Sequence, residues 1–187
     1  MLRHKERIME LSEIMFNRRS IRKYTDKEIS EGNLKSILQA GLLAPSSRNL
    51  HPVEMIVVRD KAMLDSLSRG KTAGAGMLKE ASRAIVVIGD HDRSDVWVED
   101  CSIVMTYMML KATELGIASC WVQCRKRTTT DSEGNTVTSD VYIKELLELP
   151  DNYSVLAILS LGISDEQPAP HTADELELSK LHDGQWQ

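Results

Sequence analysis

No apolar run in the sequence approaches the roughly 18–20 residues that a membrane-spanning helix requires, so no membrane partner is expected. The segment from Met1 to Arg7 is charged and lacks the apolar stretch of a secretory signal. The 23 lysines and arginines are outnumbered by 28 aspartates and glutamates, and no basic arm or stripe separates from them. Nucleic acid is therefore not expected as a partner either.

Cysteine is scarce, and the spacing of the cysteines excludes both a small protein held together by disulfides and one held together by a bound metal ion. The three cysteines are Cys101, Cys120 and Cys124, an odd number without the pattern of a disulfide framework. This usage favours a reducing compartment, and we expect a cytoplasmic protein. Cys120 and Cys124 have no second ligand pair at a usable spacing, so we predict no metal site.

The composition is that of a folded domain, with 42% hydrophobic and 27% charged residues. A length of 187 residues suits one domain with a substantial core, and we predict a single domain over 1–187. Apolar periodicity predicts helices and strands in irregular alternation, which is typical of an α+β domain with a mixed sheet. Helices are predicted at 7–17, 30–44, 61–67, 95–115 and 141–149, and strands at 55–58, 84–88, 117–122 and 155–161.

Three segments carry specific structural expectations. The second helix is expected to be capped by Ser30 and ended by Pro45, and the spacing of its apolar residues predicts that one side is buried. The helix at 95–115 is apolar nearly all round, so either its own chain or a second subunit must cover every side. The polar stretch 125–140 has four threonines and a turn signal at 133–135, and it predicts a mobile loop. The buried side of the second helix is expected to contain Leu34, Ile37, Leu38 and Leu42.

Two polar segments carry the candidate chemistry. Residues 18–22 (Arg-Arg-Ser-Ile-Arg) place three guanidinium groups and a hydroxyl after a helix, a set that can surround a phosphate. The alternative is that these cations complement the helix dipole and stay solvated. Residues 44–49 (Ala-Pro-Ser-Ser-Arg-Asn) suit the edge of a polar heterocycle or, equally, an ordinary turn. Residues 69–72 (Arg-Gly-Lys-Thr) are similar to the end of a P-loop, but Asp65 replaces the required glycine, which favours a mobile loop.

Four blocks in a fixed order resemble the FMN-dependent nitroreductase family. They are residues 18–22, residues 44–49 before a strand, residues 110–121 (Leu-Lys-Ala-Thr-Glu-Leu-Gly-Ile-Ala-Ser-Cys-Trp), and Leu-Pro-Asp at 149–151 leading into residues 155–162 (Val-Leu-Ala-Ile-Leu-Ser-Leu-Gly). Together they span most of the chain. The resemblance implies an α+β fold with a mixed or antiparallel sheet flanked by helices. It also implies an interlocked homodimer that binds two FMN molecules at its interface.

The same resemblance implies roles for individual residues. The first block would contact the FMN phosphate, the ribityl chain and, through Arg19, the flavin itself. The second block would approach the flavin in a pocket shared with the partner subunit. A third stretch would pass the reactive edge of the isoalloxazine ring and offer backbone N–H groups to its N5 and O4 region. The implied cofactor-binding residues are Arg18, Arg19, Ser20, Arg22, Pro45, Ser46, Ser47, Asn49, Trp121, Gln123 and Cys124.

The implied reaction is a hydride transfer from NAD(P)H to flavin N5, followed by reduction of a nitroaromatic, a quinone or a similar small acceptor. No catalytic acid or base is named, because the flavin supplies the chemistry. Two alternatives stay open: the same fold used for reductive dehalogenation or flavin processing, and a non-catalytic flavin-binding dimer. Two departures from the family pattern fall at His51-Pro52-Val53 and at Pro170-His171, where many members have Gln-Pro-Trp and a basic pair.

Overall fold

The structure is a computed structural model that describes residues 9–186. Five helices and six strands are assigned in this part of the chain. The helices are α1 (Leu11–Asn17), α2 (Glu31–Leu42), α3 (Lys61–Ser68), α4 (Trp97–Glu114) and α5 (Ser139–Leu147). The strands are β1 (Val53–Val58), β2 (Arg83–Asp90), β3 (Ala118–Gln123), β4 (Thr128–Thr130), β5 (Thr136–Thr138) and β6 (Tyr153–Gly162). None of the helices in residues 9–186 is long and apolar enough to cross a membrane.

A four-stranded sheet of order β1-β2-β6-β3 forms the centre of the fold, and each neighbouring pair is antiparallel. The α+β class and the antiparallel sheet that the resemblance implied as one option are confirmed, whereas the mixed sheet expected from the irregular alternation of elements is not what these strands form. The parallel pairing seen in the described residues is one isolated bridge, between Ser20 and Ser119. Hydrophobic periodicity reports which face of a strand is buried and carries no information on strand direction.

The two faces of the sheet bury separate apolar clusters. Along β2, Val86 packs with α3 and α5 on one side, while Ile85 and Val87 pack with α2 and α4 on the other. Met105 and Met108 of α4 are fully buried in the second cluster. Tyr107, however, is 41% exposed, so one side of α4 lacks a cover within the described residues.

Capping residues set the ends of the helices as expected. The Ser30 hydroxyl accepts the Asn33 N–H at 3.1 Å at the start of α2. Gly116, with φ +68°, ends α4 in the left-handed conformation that glycine adopts readily. The first helix begins at Leu11, and the predicted start at 7–8 lies outside the described residues. The tail contains two short 3₁₀ turns, at Ala173–Glu175 and Leu178–Lys180.

The prediction that Leu42 lies on the buried side of α2 is wrong, because its side chain is 69% exposed. The buried stripe passes through Gly41 instead. A Cβ on Gly41 would stand 2.9 Å from Met55 Sδ and 3.0 Å from Met108 Cγ, so β1 and α4 approach the helix backbone there. At about 100° per residue, Leu42 then points away from the sheet.

The prediction of a mobile loop at 125–140 is also wrong: β4 and β5 form an antiparallel hairpin. Its turn is closed by the Asp131 carboxylate, which accepts the Asn135 N–H at 2.8 Å. The hairpin is fastened to the preceding loop, since the Thr72 N–H donates to the Thr128 carbonyl at 2.9 Å. Thr129, 4% exposed, hydrogen-bonds to the Arg69 carbonyl and completes this attachment.

Candidate functional site

The segment 18–22 runs beside the outer edge of β3. The Ile21 N–H donates to the Ser119 carbonyl at 3.0 Å, next to the bridge between Ser20 and Ser119. Buried Tyr24 anchors the segment from behind, because its hydroxyl donates to the Ile21 carbonyl at 2.8 Å and hydrogen-bonds with Ser160 Oγ at 2.7 Å. The basic block predicted as a polar connection is therefore an ordered extension of the sheet edge.

Three cations of two separate segments converge at this edge. Burial raises the pKa of the Cys120 thiol, and the charges of Arg22, Arg18 and Lys71 oppose that rise, so all three lie near this thiol. None of the three forms an ion pair with a carboxylate among residues 9–186. Within residues 9–186, the Arg22 guanidinium donates to the Ser20 carbonyl, at 3.3 Å. The Glu166 carboxylate accepts the Arg22 backbone N–H at 2.6 Å but forms no ion pair with these three side chains in the described residues. Clustered cations whose side chains form no ion pair fit an anionic group such as the phosphate of FMN.

Lys71 is the residue that sequence reasoning missed. The sequence favours a mobile loop around it, because Asp65 breaks the P-loop pattern, yet the structure holds Lys71 half-buried between β3 and the β4–β5 hairpin. Its ammonium group lies 3.5 Å from the position that a Cβ on Gly74 would occupy, and Gly74 has φ +80°. A Cβ at residue 74 would make ordinary van der Waals contact with the lysine, and the positive φ is what favours glycine there. The sequence feature that could have pointed to it is a lysine between two glycines. Only the fold brings that lysine close to residues 18–22.

In the third predicted stretch, Cys124 faces β6 and the core, whereas the backbone groups of Trp121 and Gln123 face the outer edge of β3. The Cys124 N–H donates to the Leu156 carbonyl at 3.1 Å, and the residue is 1% exposed, with a thiol pKa raised by burial to about 12. Cys124 therefore points into the core. Antiparallel ladders alternate, so the backbone groups of Trp121 and Gln123 share the outward direction of the Ser119 carbonyl. Their side chains pair, with Trp121 Nε1 donating to Gln123 Oε1 at 2.7 Å.

Arg19 faces away from the other cations, toward the C-terminal tail. Its guanidinium hydrogen-bonds to the Ala169 carbonyl. The neighbouring Glu175 carboxylate has its pKa lowered mainly by a hydrogen bond with His171, with a smaller contribution from the Arg19 charge. His171, at the departure from the family pattern, is thus engaged by Glu175, with 2.6 Å between Nδ1 and Oε2.

The second predicted segment, around residues 45–51, has an unusual backbone. Arg48, Asn49 and His51 have φ values of 52°, 56° and 47°, in the left-handed region that costs a non-glycine residue about 1–2 kcal/mol. The Ser46 hydroxyl accepts the His51 N–H at 2.9 Å, and the Ser47 N–H donates to Asp100 Oδ1 at 2.8 Å. Pro45 and Asn49 are exposed, whereas Ser46 and Ser47 are half-buried.

The two predicted binding segments lie at opposite ends of α4. Ser47 contacts Asp100 in the first turn of the helix, while Arg19 and Ile21 line a cleft with Thr113 near its last turn. Thirteen residues at a rise of 1.5 Å separate those two helix positions by about 20 Å. One chain therefore does not bring the two segments together around a single ring.

The fold and the site define a class: an α+β domain whose sheet edge collects a cluster of cations. Comparison with known proteins narrows this class. The family model described as the Nitroreductase family matches residues 15–84 and 63–163. The chain belongs to the nitroreductase family, and the resemblance noted in the sequence is confirmed.

Individual relatives cover nearly the whole chain. A protein of Archaeoglobus fulgidus that is named an NADH dehydrogenase/NAD(P)H nitroreductase is 37% identical to this chain over 182 residues. The match covers 95% of this chain and 99% of that protein. The NADPH-flavin oxidoreductase of Vibrio harveyi is 27% identical over 83% of this chain and 66% of its own length. The solved structure of an FMN-dependent nitroreductase from Clostridium difficile R20291 has a TM-score of 0.88 and 44% identity, and it covers 92% of this chain and 98% of that chain.

Proposed function

We propose that this chain is an FMN-dependent oxidoreductase that takes a hydride from NAD(P)H and passes it to a small acceptor such as a nitroaromatic or a quinone. The observation that carries the proposal is the cluster of Arg18, Arg22 and Lys71 at the edge of β3, three cations whose side chains form no ion pair within the described residues. The names of relatives that match nearly the whole chain support the same cofactor and the same reductant.

The chain's contribution is to bind and orient the cofactor. Arg18 and Arg22 act as fixed cations for the phosphate and ribityl end, and Ser20 adds a hydroxyl beside them. Lys71 adds an ammonium group at the same place. When bound, FMN supplies the site that accepts and releases the hydride. No acid or base is assigned among the described residues, because the proposed role of the protein is placement.

The outer edge of β3 serves the polar edge of the ring. The backbone N–H groups of Trp121 and Gln123 point away from β6 and remain available as donors. Rigid backbone donors keep their direction whatever side chain is present, and preorganised donors stabilise charge that develops on a bound group. Of the third predicted stretch, these two residues are proposed as flavin contacts through their main chain. Cys124 supports them from the core.

A homodimer completes the proposed site. Residues 45–49 lie about 20 Å from residues 18–22 along α4, so a second copy must bring Pro45, Ser46, Ser47 and Asn49 to the same flavin. The chain also exposes apolar side chains on the elements around α4: Leu11 (58%), Met15 (52%), Leu42 (69%), Leu43 (78%) and Tyr107 (41%). Such an apolar surface is typical of a subunit interface, and a second copy would cover the free side of α4.

Charge-removing variants test the site directly. We expect Arg22→Gln and Lys71→Gln each to weaken FMN binding roughly tenfold, since a charge-assisted hydrogen bond contributes about 1.5–3 kcal/mol. The measurement is a fluorescence titration of the flavin-free protein with FMN at low and high salt. Lys35→Gln, which removes an exposed charge on α2, is the matched control. Equal affinities in all variants would contradict the assignment of this edge as the phosphate site.

A further inference from the structure

The strained segment 46–51 has to be held in place by its surroundings. Three of its residues, Arg48, Asn49 and His51, occupy the left-handed region, a combination that persists only when contacts over-determine it. Within the segment, Ser46 Oγ accepts the His51 N–H. These local bonds set the shape of the turn but do not attach it to the rest of the fold.

Asp100 makes the attachment from the first turn of α4. Its side chain is 2% exposed; Oδ1 accepts the Ser47 N–H at 2.8 Å, and Oδ2 accepts the Ser94 hydroxyl at 3.2 Å. No cation pairs with this carboxylate in the described part of the chain. A buried carboxylate without an ion pair is costly, although the positive end of the helix dipole offsets part of that cost. A second contact, the exposed ion pair of Arg48 with Asp95, contributes little by comparison.

We infer that Asp100 is a positioning residue for the flavin site, an inference that rests on the proposed function. Its carboxylate fixes the Ser47 amide and thereby the direction in which Ser46, Ser47 and Asn49 face the ring. Cys101 and Met105, both fully buried, hold α4 rigidly against the sheet. The other end of the same helix borders the cleft beside residues 18–22. The length of α4 therefore sets the spacing between the two halves of the binding residues in every subunit.

A comparison of Asp100→Ala with Asp100→Asn tests this role in the full-length protein. The side-chain amide in the Asp100→Asn variant keeps an oxygen for the Ser47 N–H and an NH₂ group for Ser94, so this variant should behave like the parent protein. Asp100→Ala removes both acceptors. We expect amide hydrogen exchange at residues 46–51 to become at least tenfold faster in flavin-free Asp100→Ala, with β2 unchanged. FMN binding should weaken roughly tenfold in that variant.

A second pair of variants keeps the inference testable if Asp100→Ala does not fold. Ser47→Pro and Ser47→Ala both lose the hydroxyl, but only proline lacks the N–H that donates to Asp100. We expect Ser47→Pro to bind FMN roughly tenfold more weakly than Ser47→Ala. Where Asp100→Ala does fold, combining it with Ser47→Pro should add no further loss of FMN affinity, since both changes break the bond between the Ser47 N–H and Asp100.

The outcomes separate this inference from the proposed function. If the parent protein binds FMN but Asp100→Ala shows parent exchange rates and parent affinity, Asp100 is not a positioning residue. Additive losses in the double variant would overturn the inference in the same way. If the parent protein binds no FMN while Asp100→Ala still frees residues 46–51, the proposed function fails and the structural attachment stands.

Discussion

Gly162 lies directly against the ring of Tyr24: a Cβ at residue 162 would stand 2.6 Å from Tyr24 Cδ1 and 2.8 Å from Cγ. The end of β6 thus receives the aromatic ring that anchors the basic segment from behind. Tyr24 in turn holds the Ile21 carbonyl through its hydroxyl, at 2.8 Å. Gly162 belongs to the last of the four sequence blocks and Arg18–Arg22 to the first, so this contact joins the two.

We therefore expect Gly162→Ala to disturb the cation cluster from a distance. A methyl group at residue 162 must displace the Tyr24 ring, and overpacking of this kind costs about 1–3 kcal/mol of unfolding free energy. Urea unfolding measures that loss, and FMN titration measures its effect on the site. Gly32→Ala is the control, because only Ser30 Oγ, at 3.9 Å, approaches a Cβ there. A stable Gly162→Ala protein with parent FMN affinity would contradict the role given to Tyr24.

The exposed apolar end of α2 leads to a prediction about assembly. Leu42 and Leu43 are 69% and 78% exposed, and the proposed homodimer covers this region. We expect the double variant Leu42→Glu/Leu43→Glu to shift the protein to monomers, because buried unpaired carboxylates are costly at an interface. Light scattering after size-exclusion chromatography gives the mass of the species. Val141→Glu, at an exposed apolar residue of α5 on the opposite side of the sheet, should leave the mass unchanged.

The buried thiols predict how stability changes with pH. Burial raises the pKa of Cys101 and of Cys124 from 9.0 to about 12. The folded state therefore retains protons that the unfolded chain releases, so stability is intact below pH 9 and is lost as the pH rises toward 12. Each thiol should contribute a slope of about 1.4 kcal/mol per pH unit in that window. Urea unfolding from pH 8 to pH 11 measures the slope, and the double variant Cys101→Ala/Cys124→Ala should have a shallower one.

Much of the fold follows from local chemistry in the sequence. Ser30 begins one helix by accepting the Asn33 N–H, Gly116 ends another in the left-handed conformation, and the apolar runs at 84–88 and 155–161 become the two interior strands. The prediction for Leu42 is wrong because the buried stripe of its helix passes through Gly41, which has no side chain for a periodicity count to register. The sequence does not predict the hairpin at 128–138, because threonine-rich polar strands lack the hydrophobic alternation that identifies a strand.

Part of the candidate site could likewise be predicted from the sequence, and part could not. Residues 18–22 and 44–49 are recognisable as polar blocks because their functional groups are adjacent in sequence. Lys71 and Asp100 are not, since each acts on a segment about 50 residues away and is brought there by the sheet and by α4. The direction of backbone donors on β3 also depends on strand pairing, which separates Cys124 from Trp121 and Gln123.

The most direct test is anaerobic reduction of the FMN-loaded protein by NADH and by NADPH, followed through the visible flavin absorbance. The proposed function predicts that the yellow colour bleaches with at least one nicotinamide and returns when a quinone or a nitroaromatic is added. The rate of this return with each acceptor then ranks the candidate substrates. An FMN-loaded protein that stays oxidised under an excess of both nicotinamides would contradict the reductase activity and leave a flavin-binding dimer in its place.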